Sequence, residues 1–501
     1  MISTQLEREL KLGAGPGFRL PQLAGVDGVA GEARQEVRQD TVYYDTADLR
    51  LARWGCSLRY RAGEGWTVKT PAGAAGGAAE GVLVRGEHTF TGPPRRPPPA
   101  ALDLVRAYVR RSPLQPVARL RTLRRRVRLQ DALGSPLAEV VDDEVTVLDG
   151  RRVAARFREL EVELRDGAPD GLLAAVLERL RASGAGAPDP TPKHVRALGP
   201  RASAPPEVAP AAPAPDAPAR EVIRGVVATS VHQLLRHDPG VRLGGDPEDV
   251  HQARVATRRL RSDLRTFTPL LEAGWVEALR SELAWIAAEL GAVRDGEVLL
   301  ERLRDRADAL PAQDQRVAGR LLTRLADSVR GARNRLLVSM RSERYLDLVE
   351  QLVVAASTPA CLPAAEGPAR ELLPPLAAAA WRRLRRGVEV LPQPPTDADL
   401  HQIRILAKRA RYAAEAVATV AGDGGLAFAR AAAALQTVLG EHQDAVNALA
   451  WLRSARPSGR QAFVAGQLAA TERVAAAQAR AEWQEAWKAL ARKKLRGWMP
   501  A

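Results

Sequence analysis

Near its start the chain reads Glu7-x-Glu9-x-Lys11, and further on Glu159-x-Glu161-x-Glu163. On a strand alternate residues share a face, so each triplet puts its charges on one side. The other side carries Leu6, Leu10 and Leu12, interrupted by Arg8, in the first case, and Leu160, Val162 and Leu164 in the second. Basic residues alternate in the same way: Arg59 with Arg61, Arg85 with Glu87, Arg119 with Arg121, and Arg124 with Arg126 and Arg128, while Lys69 stands alone in WTVKT. Carboxylates bind hard cations such as Mg²⁺ or Mn²⁺ through oxygen. Arginine and lysine grip phosphate oxygens. A closed β structure combining both in its lumen would suit phosphoryl transfer, where catalysis is mostly positioning and charge neutralisation. A single alternating strand is ordinarily the wetted face of a sheet. Five or six of them in one segment favour the charged lumen.

A second pattern lies in the C-terminal half. His251, Arg254, Arg258, Arg261 and Arg265 are spaced to form one stripe on a helix, with Val250, Ala253, Thr257, Leu260, Leu264 and Phe267 as an apolar stripe beside it. His401, Arg404, Lys408 and Arg411 repeat the basic stripe 150 residues later, and Glu415 replaces the last arginine. Like charges stacked along one face repel, a cost that a bound polyanion would offset; the alternative is a solvated face in an arginine-rich protein. The two histidines read as hydrogen-bonding groups rather than metal ligands, because no carboxylate cluster accompanies them, and their protonation would strengthen anion binding.

The elements that must position these residues follow from the rest of the chain. With 501 residues the protein exceeds the size of one core, so at least two domains are expected. The stretch ASAPPEVAPAAPAPDAP, residues 202–218, reads as an extended spacer. Before it, short alternating segments at 5–12, 56–62, 66–70, 82–90, 120–129 and 158–164 predict strands, and helical patterns appear near 101–111 and 170–183. PPRRPPP at 93–99 reads as a loop. After the spacer the chain is helical almost throughout and internally repeated. The segment from Val250 to Val255 matches Leu400 to Ile405, and Leu290-Gly291 with Asp295 matches Leu439-Gly440 with Asp444, both at an offset near 150. The expected organisation is therefore α+β and multidomain: a mostly β domain over 1–200, a linker over 201–220, and a duplicated helical domain over 221–501 with repeats at about 221–355 and 370–495.

Lys and Arg number 74 against 59 Asp and Glu, a net charge of +15 that points to an anionic partner. Aromatics make up only 4%, and the basic stripes hold none, which disfavours a nucleic-acid module that stacks bases. The two cysteines, Cys56 and Cys361, form no zinc or disulfide framework. No apolar run is long enough to span a membrane, and the charged first residues do not read as a signal peptide. A cytoplasmic protein is expected.

Taken with their order, Glu7-x-Glu9-x-Lys11, YYDTADLRLARWGCSLRYR (43–61), WTVKTP, Arg85-x-Glu87 and ELEVEL make residues 1–200 resemble a CYTH domain, the triphosphate tunnel metalloenzyme family. The resemblance implies an antiparallel β-tunnel that uses Mg²⁺ or Mn²⁺ to cleave triphosphates. It implies metal ligands at Glu7, Glu9, Glu161 and Glu163, and phosphate grips at Lys11, Arg59, Arg61, Lys69, Arg85, Arg124 and Lys193, with Glu87 completing the acidic lining. Thr89 stands where many members carry a further in-facing acid, and either Asp142 or Asp143 could take that part. Residues 221–501 resemble a CHAD domain through HQARVATRRLRSDLRTF, LGAVRD, HQIRILAKRARY and LGEHQD. That family is a duplicated helical bundle with a basic channel, associated with inorganic polyphosphate and with polyphosphate granules. The function these resemblances imply is metal-dependent hydrolysis of inorganic triphosphate or short polyphosphate by the first domain, with polyphosphate binding by the second. The alternatives are a non-catalytic polyphosphate-binding or granule adaptor, and the adenylyl cyclase or thiamine-triphosphate hydrolase activities also found among CYTH proteins.

Overall fold

The computed structural model describes residues 3–26, 28–71, 82–165, 167–214 and 216–500. The chain forms two compact units, Met1–Glu207 and Val208–Ala501.

The first unit is a closed antiparallel barrel. Its strands are β1 (Ser3–Ala14), β2 (Gly31–Asp45), β3 (Ser57–Arg61), β4 (Gly65–Pro71), β5 (Val82–Phe90), β6 (Gln115–Gln130), β7 (Pro136–Asp149) and β8 (Arg152–Leu164). Their order is β5-β4-β3-β2-β6-β7-β8-β1, and a β5–β1 pairing closes the ring. Closure removes the exposed sheet edges that an open sheet would leave. A short β9 (Ala185–Pro188) adds to the far end of β1. Helices α1 (Arg50–Arg53), α2 (Pro99–Val109), α3 (Leu172–Ala182) and α4 (Lys193–Leu198) lie among the strands in the chain.

Alternation sorts each strand into a charged face and an apolar face. Leu10, Leu12, Val127, Leu129, Val140, Leu160 and Val162 pack outward under Phe18 and α3, so the barrel's hydrophobic core lies outside the ring. Asp45, in the YYDT segment, accepts the backbone N–H groups of Thr46, Leu51 and Ala52, which makes it the organiser of the turn into α1.

The second unit is all-helical: α5 (Ala219–Leu243), α6 (Pro247–Phe267), α7 (Ala273–Asp308), α8 (Ala312–Arg341), α9 (Glu343–Ser357), α10 (Ala369–Glu389), α11 (Asp397–Ala416), α12 (Ala418–Ser454) and α13 (Arg460–Leu490). The duplication is visible in the backbone. Ala219 N–H donates to Gly367 O at 3.0 Å and Ala369 N–H donates to Ala217 O at 3.1 Å, a reciprocal exchange between positions 150 apart. The two bonds flank an antiparallel bridge between Pro218 and Pro368, also 150 apart. The apolar stripes take the expected role, with Val250, Ala253, Leu260, Leu264 and Phe267 on α6 and Leu400, Ile403, Ala407, Ala410 and Ala414 on α11 all buried. Each stripe helix starts on a cap: Asp246 accepts Glu248 N–H for α6, and Thr396 with Asp399 forms a capping box for α11.

The Pro/Ala-rich stretch carries contacts on either side of the boundary between Glu207 and Val208. Glu207 accepts from Trp54 Nε1 at 3.1 Å and from Arg110 at 2.7 Å within the first unit, and Val208 O binds His232 within the second. Pro215, inside that stretch, lies outside the described residues. Among the described residues no helix is long and apolar enough to cross a membrane.

Candidate functional site

Antiparallel register decides which charges meet in the barrel, because residues directly opposite one another share a face. Glu7 lies opposite Arg85, Lys69 opposite Glu87, Lys11 opposite Glu161, Arg124 opposite Asp143, and Tyr43 opposite Arg59. All of them turn inward onto one cavity of about 230 Å³ or the wall behind it. Among the described residues the cavity is lined by nine basic and six acidic side chains, and the rings there are those of Tyr43, His194 and Pro192.

Two ion-pair groups build the wall. In the first, Lys11 Nζ lies 2.7 Å from Glu161 and 3.1 Å from Glu159, and Lys193 Nζ lies 2.6 Å from Glu161, 2.8 Å from Glu159 and 2.9 Å from Asp143. Arg124 grips Asp143 with two hydrogen bonds and reaches Glu161 at 3.0 Å. Burial alone would raise the Glu161 carboxyl, but Lys11, Lys193 and Arg124 hold it well below the usual carboxylate range. The same partners, Lys193 and Arg124, depress Asp143 against its burial.

In the second group Lys69 donates to Glu7 at 2.5 and 2.7 Å and contacts Glu87 at 2.8 Å. Arg85 pairs with Glu9 at 2.7 Å, and Arg59 lies 3.5 Å from Glu87. Lys69 and Arg59 pull the Glu87 carboxyl down to about 2 in spite of its burial. Lys69 itself is lowered even though it is paired, because burial and the neighbouring Arg59 and Arg85 outweigh Glu7 and Glu87. Two carboxylates run the other way. Glu9 is raised by burial and by Glu161, and Glu163 by burial and by Glu7, Glu139 and Glu9. Such crowding of oxygen donors is relieved by a hard dication, so the chemistry of the donor set fits Mg²⁺ or Mn²⁺. Among the described residues, however, no three carboxylate, histidine or cysteine side chains already stand as a preformed cage. Glu7 and Glu9 would exchange Lys69 and Arg85 for the ion.

Of the two aspartates left open by the sequence, Asp143 faces the cavity wall. Asp142 turns to the outer face, where Arg158 holds it with two bonds of 2.7 Å and Arg125 approaches at 3.4 Å. Strand alternation forces this split, and Asp142 is removed from the ligand set. Arg61 is a buried residue of the lining that donates to Glu64 and Thr41. Sequence reasoning passed over Tyr43, Glu139 and Glu64 as lining residues, and left Glu159 out of the site. The unbroken Glu159-x-Glu161-x-Glu163 alternation was the signal for Glu159.

In the helical unit the stripes meet in part. Arg254 pairs with Asp295 at 2.8 Å and lies over Gly291, while Arg404 lies over Gly440 at the equivalent place. Burial lowers Arg404 and Lys408 on α11, and the charges of Arg258 and Arg254 on α6 lower both further. Arg258 also donates to Tyr412 at 2.8 Å. The far end of the α6 stripe turns elsewhere: Arg261 faces Arg280, and Arg265 is pulled down to about 10 by burial and by Arg409, Arg280, Arg261 and Arg383. Arg409 lies off the stripe by helical phase, yet it belongs to this second basic cluster. Arg411 pairs with Glu415, which also takes Arg259, so its charge is spent within the protein. His251 is lowered by burial and then by Arg294, Arg258 and Arg254, with Glu248 opposing them, so it is neutral at neutral pH rather than a cation of the stripe. His401 bonds Gln443 at 2.7 Å, a hydrogen-bonding role as expected.

Comparison with known proteins matches both units. A CYTH domain family model fits residues 5–189 and a CHAD domain model fits residues 225–453. The chain is 34% identical over 467 residues to an uncharacterized protein of Mycobacterium tuberculosis strain H37Rv, covering 85% of this chain and 84% of that one, and equally to its counterpart in strain CDC 1551. Among solved structures it is similar to PptA from Streptomyces chartreusis, with 30% identity, a TM-score of 0.46, and 54% of this chain and 100% of that chain covered. It is also similar to the CHAD domain from the plant Ricinus communis, with 25% identity, a TM-score of 0.46, and 58% and 98% covered.

Proposed function

From the premise that this chain belongs to the CYTH family through residues 5–189 and to the CHAD family through residues 225–453, we propose that its barrel hydrolyses inorganic triphosphate or the ends of short polyphosphate. The helical unit would bind longer polyphosphate chains. The supporting observation is the lining of the cavity. Its walls are charged nearly throughout, and no apolar platform is present among the described lining residues for a nucleoside or thiazole ring. A ligand that is phosphate alone fits such a lining better than a nucleotide or thiamine triphosphate.

Lys69, Arg85 and Arg59 sit where phosphate oxygens would displace the carboxylates that now hold them. Lys11, Lys193 and Arg124 are fixed by Glu159, Glu161 and Asp143, so their donor groups are held in place and need no reorganisation during reaction. Glu7, Glu9, Glu161 and Glu163, with Asp143, are the oxygen donors that would hold Mg²⁺ or Mn²⁺. When bound, the ion supplies charge neutralisation on the phosphoryl oxygens. Tyr43, to which Arg59 donates, adds a hydroxyl among the phosphate grips.

A second reading is a non-catalytic polyphosphate-binding protein. One observation favours it: Glu7, Glu9 and Glu161 are all engaged by lysine or arginine as the barrel stands. Phosphate release from tripolyphosphate in the presence of Mg²⁺ or Mn²⁺ separates the two. Release that depends on the dication supports hydrolysis, and its absence with either ion leaves the binding reading.

A further inference from the structure

We infer that the helical unit carries a second anion site, apart from the Arg254 and Arg404 stripes. In it Arg265, Arg383 and Arg409 seat one phosphoryl group, where the other repeat has the carboxylate of Glu415. The inference goes beyond the proposed function and needs neither hydrolysis in the barrel nor polyphosphate bound along the stripes.

The site is a cavity of about 100 Å³ between α6, α10 and α11. Arg265 and Ser262 line it from α6, Arg383 from α10 and Arg409 from α11, with Leu376 and Leu406 among its apolar walls. Among the described residues, no side-chain hydrogen bond or ion pair joins any of the three arginines. The repeat explains why. Position 415 is the counterpart of position 265, and Arg259 and Arg411 are the counterparts of Arg409 and Arg261, all at an offset of 150. Glu415 holds both of its arginines, Arg259 across on α6 and Arg411 on its own helix at 2.7 Å. In the first repeat an arginine stands in place of that glutamate. Arg409 and Arg261 therefore meet Arg265 instead of an acid, and Arg261 Nε is buried with no partner. The space differs in the same sense. Tyr412 is buried, with the guanidinium groups of Arg258, Arg259 and Arg411 at 5.5, 5.6 and 5.8 Å from its ring centre. Its counterpart Ser262 has no ring and lines the cavity.

The charge balance sets the ligand. Arg265 is lowered to about 10 by burial and then by Arg409, Arg280, Arg261 and Arg383, and no acid opposes them. Arg409 is lowered by burial and then by Arg280 and Arg383. A carboxylate would cancel one charge of this cluster. A free or terminal phosphoryl group brings nearly two negative charges near neutral pH, and its oxygens match the forked donors of arginine. The cavity has the volume of about three waters, which suits one tetrahedral group and not a base or a sugar ring. Free orthophosphate and the end of a phosphate chain present the same group.

The test is hydrogen–deuterium exchange of the full chain at pH 7.5 without divalent cations, in orthophosphate, in tripolyphosphate, or in sodium chloride of equal ionic strength. The readout is the α10 peptide around Leu376 and Arg383, because α10 carries no residue of the stripes or of the barrel. Where exchange reports opening of the pocket, orthophosphate at about ten times its dissociation constant should slow it about ten-fold relative to chloride. Protection by both phosphates assigns the site to the free ion as well as to chain ends, and protection by tripolyphosphate alone assigns it to chain ends. Arg265→Glu supplies the carboxylate that the second repeat already has. It should slow exchange without phosphate and abolish the response to either anion. Arg383 is exposed, so Arg383→Gln should keep the fold and weaken the response. No protection by either phosphate, equal protection by chloride, or an undiminished response in either variant overturns the proposal.

Discussion

Replacing Lys193 with methionine removes one cation from three carboxylates while nearly preserving side-chain volume. Lys193 Nζ lies within 2.9 Å of Asp143, Glu159 and Glu161, whose side chains are 0%, 1% and 11% exposed. In the wild-type barrel Lys11, Arg124 and Lys193 balance these three charges; in the variant two cations face three carboxylates. Breaking a buried pair on one side costs about 3–5 kcal/mol, because the remaining charge is left without compensation. The β7 and β8 amides, which span Asp143, Glu159 and Glu161, should then exchange with solvent deuterium about 10² to 10⁴ times faster at pH 7.5 where exchange reports opening of the barrel. The pH dependence carries the sharper test. Glu161 and Asp143 have depressed carboxyl values, so the stability they contribute is present above the ordinary carboxylate value and is lost only as pH falls through the depressed one. At pH 5 the wild-type barrel keeps that stability. In Lys193→Met one carboxylate becomes a raised, proton-binding group, so the penalty shrinks between pH 7.5 and pH 5. A penalty below about 1 kcal/mol would refute the reasoning, and so would one of equal size at both pH values once intrinsic exchange rates are divided out.

Glu7→Gln or Glu9→Gln removes an oxygen donor's charge and keeps its shape, so Mg²⁺-dependent phosphate release should fall by about 10²-fold or more with the circular dichroism spectrum unchanged. Asp143→Asn should lower the same activity, whereas Asp142→Asn should leave it near wild type and show its effect in thermal stability, since Asp142 serves Arg158 and Arg125 on the outer face. Neutralising Arg254 with Arg258, or Arg404 with Lys408, should weaken polyphosphate binding and reduce its salt dependence by about two counterions for each pair, measured by affinity at several salt concentrations. Arg259→Gln, whose partner is Glu415, should change that affinity less than either pair does.

Much of this arrangement was legible in the sequence because period-two alternation is a strong signal when the alternating residues are charged. Glu7, Glu9 and Lys11, and Glu161 with Glu163, fall on the inner face as strand geometry demands. The apolar stripes of α6 and α11 were equally plain, since buried alanine, leucine and valine recur at helical spacing. What stayed hidden depends on register or on distant partners. The side of β7 that faces inward is fixed by its pairing with β6 and β8, which sets Arg124 against Asp143. No local pattern separates Asp143 from Asp142. β2 was not recognised as a strand from its alternation, because its residues GEARQEVRQD are polar on both faces, and Tyr43 went unnoticed with it. The α6 stripe reads as one continuous line from its spacing alone. The crossing of α11 divides it, sending Arg261 and Arg265 to a second set of arginines that includes Arg409.

The central claim is that this charged barrel cleaves phosphoanhydrides with the help of a dication, and one titration tests it most directly. Inorganic phosphate released from tripolyphosphate by the full chain is measured as Mg²⁺ or Mn²⁺ is added, beside ATP and thiamine triphosphate at equal concentration. The account predicts release that is absent without metal, saturates with it, and is greatest for tripolyphosphate, because the cavity walls offer charge and no apolar platform. Metal-independent release, a preference for ATP, or no release with either ion would contradict it.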